Sequence, residues 1–166
     1  YWYGIDVSMM RLVEGKRMDM KDRIAHQYCP AWINEFNDKG TKYRLSWYYE
    51  NKNISIVADK FGVNRIDNID LNSIVDYKKK AYSIDSITEC LKSYKLDEKE
   101  GIGFVFILGN LIKEDEKVEG YSVFFDIKTR EAMWVCRTYS NASGKGLTGH
   151  WSEGMFRCFG LFISEF

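Results

Sequence analysis

The segment with the most chemical potential is the glycine-rich run Gly144-Lys-Gly-Leu-Thr-Gly149. It matches the dinucleotide-binding pattern G-x-G-x-x-G letter for letter, although its lysine is misplaced for a Walker A loop. It also lies between a predicted strand and a predicted helix, where backbone N–H groups can hold a phosphate. The candidate ligand-binding residues are Gly144, Lys145, Gly146, Thr148 and His150.

The surroundings of this segment do not suit a dinucleotide site. The preceding strand ends an antiparallel run, and only 17 residues follow Gly149, so no second parallel strand or ribose-binding acid is available. We therefore interpret the segment as a tight strand-to-helix turn, in which positive φ at one or more of the glycines would cost nothing sterically. The alternative is an anion site at the start of the final helix, beside Lys145 and His150.

The histidines and cysteines do not form a recognisable metal or nucleophile motif. His26 and Cys29 have H-x-x-C spacing, which would put both on one helix face, but His150 and the other cysteines are scattered singly. A Cys29 nucleophile paired with either histidine has no local signature. Cys136 and Cys158 could meet, yet we favour free thiols. We predict no metal, no cofactor and no catalytic residue.

Composition excludes several classes of protein. Lys plus Arg equal Asp plus Glu at 24 each, and the longest basic run is Lys78-Lys-Lys80, so we expect no nucleic-acid partner. No apolar run reaches the roughly 18–20 residues of a transmembrane helix. Because the chain begins at Tyr1 and not at methionine, we expect that an upstream segment was removed, and a lipid anchor lost with it would leave no trace.

The last third of the chain predicts a three-stranded meander and a closing helix. Ile102–Leu108 is apolar on both faces, which is typical of a central strand covered on both sides. Val118–Ile127 alternates like a half-buried strand, and short links through 109–116 and 126–131 make the strands antiparallel. A wide apolar stripe predicts a helix over His150–Phe166, whose glycines indicate close packing or an early end.

The earlier part of the chain adds a strand at Tyr1–Val7, a helix over Asp19–Lys39 and a helix over Ser83–Tyr94. Pro30 predicts a kink or break near Cys29. The segment 41–82 is ambiguous apart from a strand at 54–58. We predict one α+β domain over residues 1–166, with a mostly antiparallel sheet of four to five strands and flanking helices.

Three stretches carry a resemblance: the strand from Gly101, the Phe124-Phe-Asp-Ile-Lys-Thr-Arg130 turn, and Ser143-Gly-Lys-Gly146 before the Trp151 helix. In this order the chain resembles uncharacterised secreted or lipoprotein-like proteins of gram-negative gut anaerobes. Its order of elements is more distantly similar to the α+β domains of envelope accessory lipoproteins. The resemblance implies an extracytoplasmic location, in the periplasm or at the outer membrane, and it supplies no catalytic residue.

These observations favour a non-enzymatic extracytoplasmic binding or accessory module with a protein or other macromolecular partner in the cell envelope. The alternative is a small-molecule or anion-binding protein, or an enzyme, with its site in the loop 140–150. Trp2, Phe124 and Trp134 are candidates for a partner surface. The competing interpretation is that helices cover these aromatic residues on both faces of the sheet.

Overall fold

The computed structural model describes residues 1–13, 20–40 and 54–164. Its strands are β1 (Trp2–Asp6), β2 (Arg11–Val13), β3 (Val75–Asp76), β4 (Ile102–Ile112), β5 (Lys117–Asp126) and β6 (Ala132–Asn141). Its α-helices are α1 (Lys21–Arg23), α2 (Cys29–Gly40), α3 (Ala58–Arg65), α4 (Ile84–Lys92) and α5 (Gly146–Ser164). A π-helical turn over Ile24–Tyr28 joins α1 to α2, and a 3-10 turn over Ile66–Asn68 follows α3.

The sheet is mostly antiparallel and follows the order β3-β2-β4-β5-β6, with β1 also paired to β4. The meander β4–β5–β6 is antiparallel, as predicted. Strands β1 and β2 run parallel to β4 along two successive parts of the same edge, opposite Phe104–Ile107 and Asn110–Ile112. The sheet has six strands, above the predicted four to five, because β2 and β3 are too short to leave an alternating pattern.

Strand β4 lies in the middle of the molecule, and both of its faces are buried as predicted. Phe104 and Phe106 face a cluster that includes Trp2, α2 and α5. Val105 and Ile107 face a second cluster formed with α3, α4 and the other face of β5. Helices therefore cover both faces of the central sheet, which is the α+β architecture expected from the sequence.

Two predictions about the meander are wrong. Strand β5 is buried on both faces because α5 packs closely on it: a Cβ at Gly154 would lie 2.5 Å from Val118 Cγ2. The predicted loop 109–116 is shorter, since β4 continues to Ile112 and only residues 113–116 turn. Gly154 therefore lies where α5 packs closely on the sheet, which is one of the two roles that the glycines of the predicted helix indicated. The helix does not end early, since α5 continues through Gly160.

The predicted irregularity before Pro30 is present. The Cys29 N–H donates to the Ile24 carbonyl, five residues back, and α2 begins at Cys29. Proline has no N–H to continue the α-helical ladder, so the change from π to α geometry falls just before it. The helix start predicted at Asp19 lies outside the described residues.

Among the remaining elements, α4 begins as predicted, and two other segments differ slightly from the prediction. Ser83 caps α4, since its Oγ accepts a hydrogen bond from the Ser86 N–H at 3.1 Å. The expected strand at 54–58 is reduced to a single bridge between Ile56 and Trp2, because α3 already begins at Ala58. Helix α5 begins at Gly146, four residues before the predicted start at His150.

Candidate functional site

The glycine-rich segment is a tight turn between β6 and α5. Gly144 has φ +118° and Gly146 has φ +71°, so two of the glycines have the positive φ that glycine adopts without steric cost. A Cβ at Gly144 would lie 2.7 Å from the Gly149 carbonyl oxygen. The Ser143 N–H donates to the His150 carbonyl at 3.1 Å, which closes the turn. These glycines therefore have a backbone role that no other residue type can take without strain.

The turn brings the predicted ligand-binding residues near one another in the backbone but does not join their side chains. Lys145 is exposed, whereas Thr148 and His150 are half-buried. The His150 ring packs edge-on against Trp151, with 5.0 Å between ring centroids. Because α5 begins at Gly146, the exposed Lys145 directly precedes the first turn of the helix. Anion binding at these residues remains a prediction.

The structure separates the residues of the considered nucleophile pair. Cys29 is fully buried, whereas His26 is exposed and its Nδ1 lies 3.1 Å from the Asp22 carbonyl oxygen. Burial raises the pKa of the Cys29 thiol to about 12, so this thiol stays protonated at neutral pH. Among the described residues, no cluster of three or more His, Cys, Asp or Glu side chains could hold a metal ion.

A buried polar network lies at the end of β1. Asp6 has no solvent exposure. Its Oδ1 accepts a hydrogen bond from the Ser8 N–H at 2.8 Å. Its Oδ2 accepts from the Tyr94 hydroxyl at 2.7 Å and from Arg65 Nε at 3.2 Å. The network therefore connects β1 to the last turn of α3 and to the segment after α4.

Arg65 and Cys90 complete this network. Arg65 Nη2 donates to Ser8 Oγ at 2.9 Å, and the guanidinium carbon lies 4.7 Å from the centroid of the Tyr94 ring. The Cys90 thiol lies 3.4 Å from Asp6 Oδ2, to which it donates. Burial, followed by the Asp6 charge, raises the pKa of Cys90 to about 12, so its thiol is a donor and not a nucleophile.

Beside this network lies an open cleft of about 810 Å³. Its walls come from α3 and the 3-10 turn on one side and from the segment after α4 on the other. Tyr3 also lines the cleft, and its hydroxyl donates to Glu98 Oε2 at 2.7 Å. Sequence reasoning missed this site, because Asp6 lies in an apolar strand, Arg65 lies in the ambiguous segment 41–82, and Glu98 lies beyond the predicted helix Ser83–Tyr94.

A second buried carboxylate, Glu119, lies on β5. It accepts hydrogen bonds from Asn110 Nδ2 at 2.8 Å, from Arg137 Nε at 2.6 Å and from the Tyr121 hydroxyl. The Asn110 side chain also holds both backbone groups of Lys80, whose N–H donates to Oδ1 and whose carbonyl accepts from Nδ2. This network ties three neighbouring strands to the segment before α4.

Strand β6 is the outermost strand of the meander and the least buried of the three. Met133 is 60% exposed, Tyr139 is 44% exposed and Trp134 is 40% exposed. A bulge separates the pairs of Phe124 and Phe125, so Met133 has no partner in the β5–β6 register. Of the three aromatic residues proposed as a partner surface, Trp2 is fully buried against Phe104 and Phe159, which removes it from that surface.

No protein-family model, no curated protein and no solved structure matches this chain. Within the described residues, no helix combines the length and the apolar character that crossing a membrane requires. The function must therefore be inferred from the surfaces and side chains of the chain itself.

Proposed function

We propose that this protein is a non-enzymatic binding module of the cell envelope that takes up an extended segment of a partner protein along β6. The observation that carries the proposal is the outer edge of this strand. In the part of the chain that the structure describes, β6 is paired on its β5 side, and no other strand covers its outer side.

An edge of this kind is usually protected in soluble proteins. Charged side chains, proline, bulges or very short strands commonly prevent edge strands from pairing with other chains. Strand β6 has ten residues, its bulge lies at one end, and its only charged residue is Arg137. The regular part from Trp134 to Asn141 contains no proline. It therefore suits strand addition, in which backbone hydrogen bonds supply affinity and alternate side chains supply specificity.

The register indicates which backbone groups a partner would reach. The Ala142 N–H donates inward to the Glu116 carbonyl at 2.6 Å. Antiparallel pairing alternates between inward and outward groups. The N–H groups of Thr138 and Ser140 therefore point toward β5, whereas those of Arg137, Tyr139 and Asn141 point outward. An added strand would bond to the second set.

The burial of two thiols is compatible with an oxidising, extracytoplasmic compartment for the proposed module. Cys29 and Cys158 are buried free thiols. Burial raises the pKa of each of these two thiols to about 12. A protonated, inaccessible thiol reacts slowly with oxidants and disulfides, so such a chain can tolerate that compartment without forming bridges.

Hydrogen exchange tests the proposed binding edge. In the free protein, the amides of Arg137, Tyr139 and Asn141 should exchange faster than those of Thr138 and Ser140. A peptide selected from a displayed random library should then slow the outward set alone. Protection of the outward amides in the free protein at low concentration, or selected peptides that protect other elements, would refute binding at β6.

A matched pair of proline variants separates the edge from the fold. Tyr139→Pro removes an outward N–H, so it should abolish binding of the selected peptide and change the melting temperature little. Thr138→Pro removes an inward N–H of the β5–β6 ladder and should destabilise the protein strongly. Retained peptide binding in Tyr139→Pro would contradict strand addition.

Anion binding at the glycine-rich turn is the second candidate function. It is favoured by the position of the exposed Lys145 directly before the start of α5 at Gly146. Phosphate and nucleotides at about 1 mM would raise the melting temperature if they bound with a dissociation constant near 10 μM, since this adds about 2.7 kcal/mol. A rise that Lys145→Gln abolishes would support this function. We expect no rise, because the glycines have a structural role.

A further inference from the structure

The cleft beside Arg65 combines a rigid cation with an apolar wall. Arg65 lines the cleft, although only 6% of its side-chain surface is exposed. Phe61 and Leu96 contribute apolar surface next to it. At about 810 Å³ the cleft is within the size range of small-molecule sites. It lies beside β1, on the opposite side of β4 from β6, so it is independent of the proposed binding edge.

Hydrogen bonds fix the guanidinium of Arg65, but within the described residues they do not engage all of its N–H donors. Its Nε donates to Asp6, and its Nη2 donates to Ser8 Oγ and lies 3.6 Å from Cys90 Sγ. Within the described residues, Nη1 makes no hydrogen bond. A guanidinium remains charged and donates in a fixed planar geometry that suits a carboxylate. Arg65 therefore offers a preorganised donor to a ligand in the cleft.

Other residues that line the cleft have the opposite charge. The carboxylates of Asp67, Asp97 and Glu98 line it, against the single ammonium group of Lys95. The Glu98 carboxylate is positioned by the Tyr3 hydroxyl, which donates to it at 2.7 Å. This excess of negative charge would repel a simple anion and attract an ammonium group. The Arg65 donor and the acidic side chains of the lining thus select a ligand with both charges.

We propose that this cleft binds a zwitterionic ligand, either a free amino acid or a short peptide. Its carboxylate accepts hydrogen bonds from Arg65 Nη1, and its ammonium group lies among Glu98 and Asp97. Its apolar part packs on Phe61. The Asp6 and Tyr94 side chains hold Arg65 in place and make no contact with the ligand.

Saturation-transfer NMR with the full chain tests this inference. The probes are the proteinogenic free amino acids and a set of Gly-Xaa dipeptides, each at about 1 mM, a concentration that populates sites with millimolar affinity. At least one zwitterionic probe should bind. Its C-amidated and N-acetylated forms should each bind about tenfold more weakly or worse, because each loses one charge-assisted contact.

Two variants and one control locate the binding. Glu98→Gln, at a half-buried position, should weaken the best probe about tenfold, and Arg65→Lys should weaken it further by removing the planar donor. Glu89→Gln, on the exposed side of α4 where Glu89 pairs with Lys92, should change nothing. The proposal is overturned if no probe binds, if the blocked forms bind equally well, or if Glu98→Gln leaves the affinity unchanged.

Discussion

Replacing Asp6 with asparagine should destabilise this protein severely, although the two side chains have nearly the same shape. The Asp6 carboxylate accepts hydrogen bonds from Ser8, Tyr94 and Arg65, and it is fully buried. An amide would keep one acceptor oxygen but turn an NH2 group toward one set of these donors. It would also leave the Arg65 charge buried without a counter-ion.

The magnitude follows from the burial of both partners. Removing one member of a buried ion pair typically costs about 3–5 kcal/mol, because the other charge is left uncompensated. Asp6 is fully buried, and the side chain of Arg65 is only 6% exposed, so solvent cannot screen the remaining charge. For a domain of 150–250 residues, such a loss lowers the melting temperature by about 10 °C.

Urea denaturation of a double-mutant cycle measures this effect. The variants are Asp6→Asn, Arg65→Met and the combination, in which no uncompensated charge is left. The double variant should lose less than the sum of the two single losses, by about 1–3 kcal/mol. Asp76→Asn is the matched control: Arg11 and Asp76 form a pair at 2.8 Å whose side chains are 14% and 39% exposed. This control should change stability only slightly.

The reasoning fails if Asp6→Asn loses less than about 1 kcal/mol, or if the two single losses add. The first result would mean that Arg65 donates to water or to another acceptor when asparagine replaces Asp6. The second would mean that the two side chains contribute separately, so that Asp6 does not hold Arg65 in place. Either result would also weaken the inference that Arg65 is a preorganised donor.

Two further predictions concern packing and pH. Gly120→Ala should lower the free energy of unfolding, measured by urea denaturation, by about 1–3 kcal/mol, because the added Cβ would overlap the Phe106 ring. Gly149→Ala is the control and should be tolerated, because its Cβ meets open space. Equal losses of stability in the two variants would contradict this packing. Burial also raises the pKa of three thiols from 9.0 to about 12, in Cys29, Cys90 and Cys158. Their stabilisation is complete below pH 9 and is lost as the pH rises toward 12, by at most about 1.4 kcal/mol per pH unit for each thiol. Urea midpoints that do not change above pH 9, or a slope that Cys158→Ala leaves unchanged, would refute this pH dependence.

The centre of the fold was predictable because its pattern is local. Phe104 and Val105 fall on opposite faces of one short apolar run, and such a run is stable only between two covering layers. The closing helix could be predicted equally well, from an apolar stripe that includes Trp151 and Phe159. Both signals depend on residues close in sequence, and the sheet order of the meander follows from its short links.

The other half of the sheet could not be predicted in the same way. Strands β2 and β3 have three and two residues, so neither has a measurable period. Their positions depend on contacts across long stretches of chain, such as the pairing of Leu12 with Val75 and with Leu111. The parallel direction of β1 and β2 is likewise set by the intervening chain and not by the residues of the strands.

The candidate site was missed for a related reason, which concerns polar residues within apolar segments. Asp6 is the last residue of an otherwise apolar strand, and Glu119 lies on the same face of its strand as Tyr121 and Val123, which is the apolar face of a strand predicted to be half-buried. In each case the partner is remote: Arg65 is 59 positions from Asp6, and Arg137 is 18 from Glu119. A buried carboxylate is tolerated only when several donors converge on it. A lone acid inside an apolar strand therefore predicts a distant basic or hydroxyl partner, even when its identity cannot be read from the sequence. Here that rule would have directed attention to the end of β1, where Arg65 and the cleft lie.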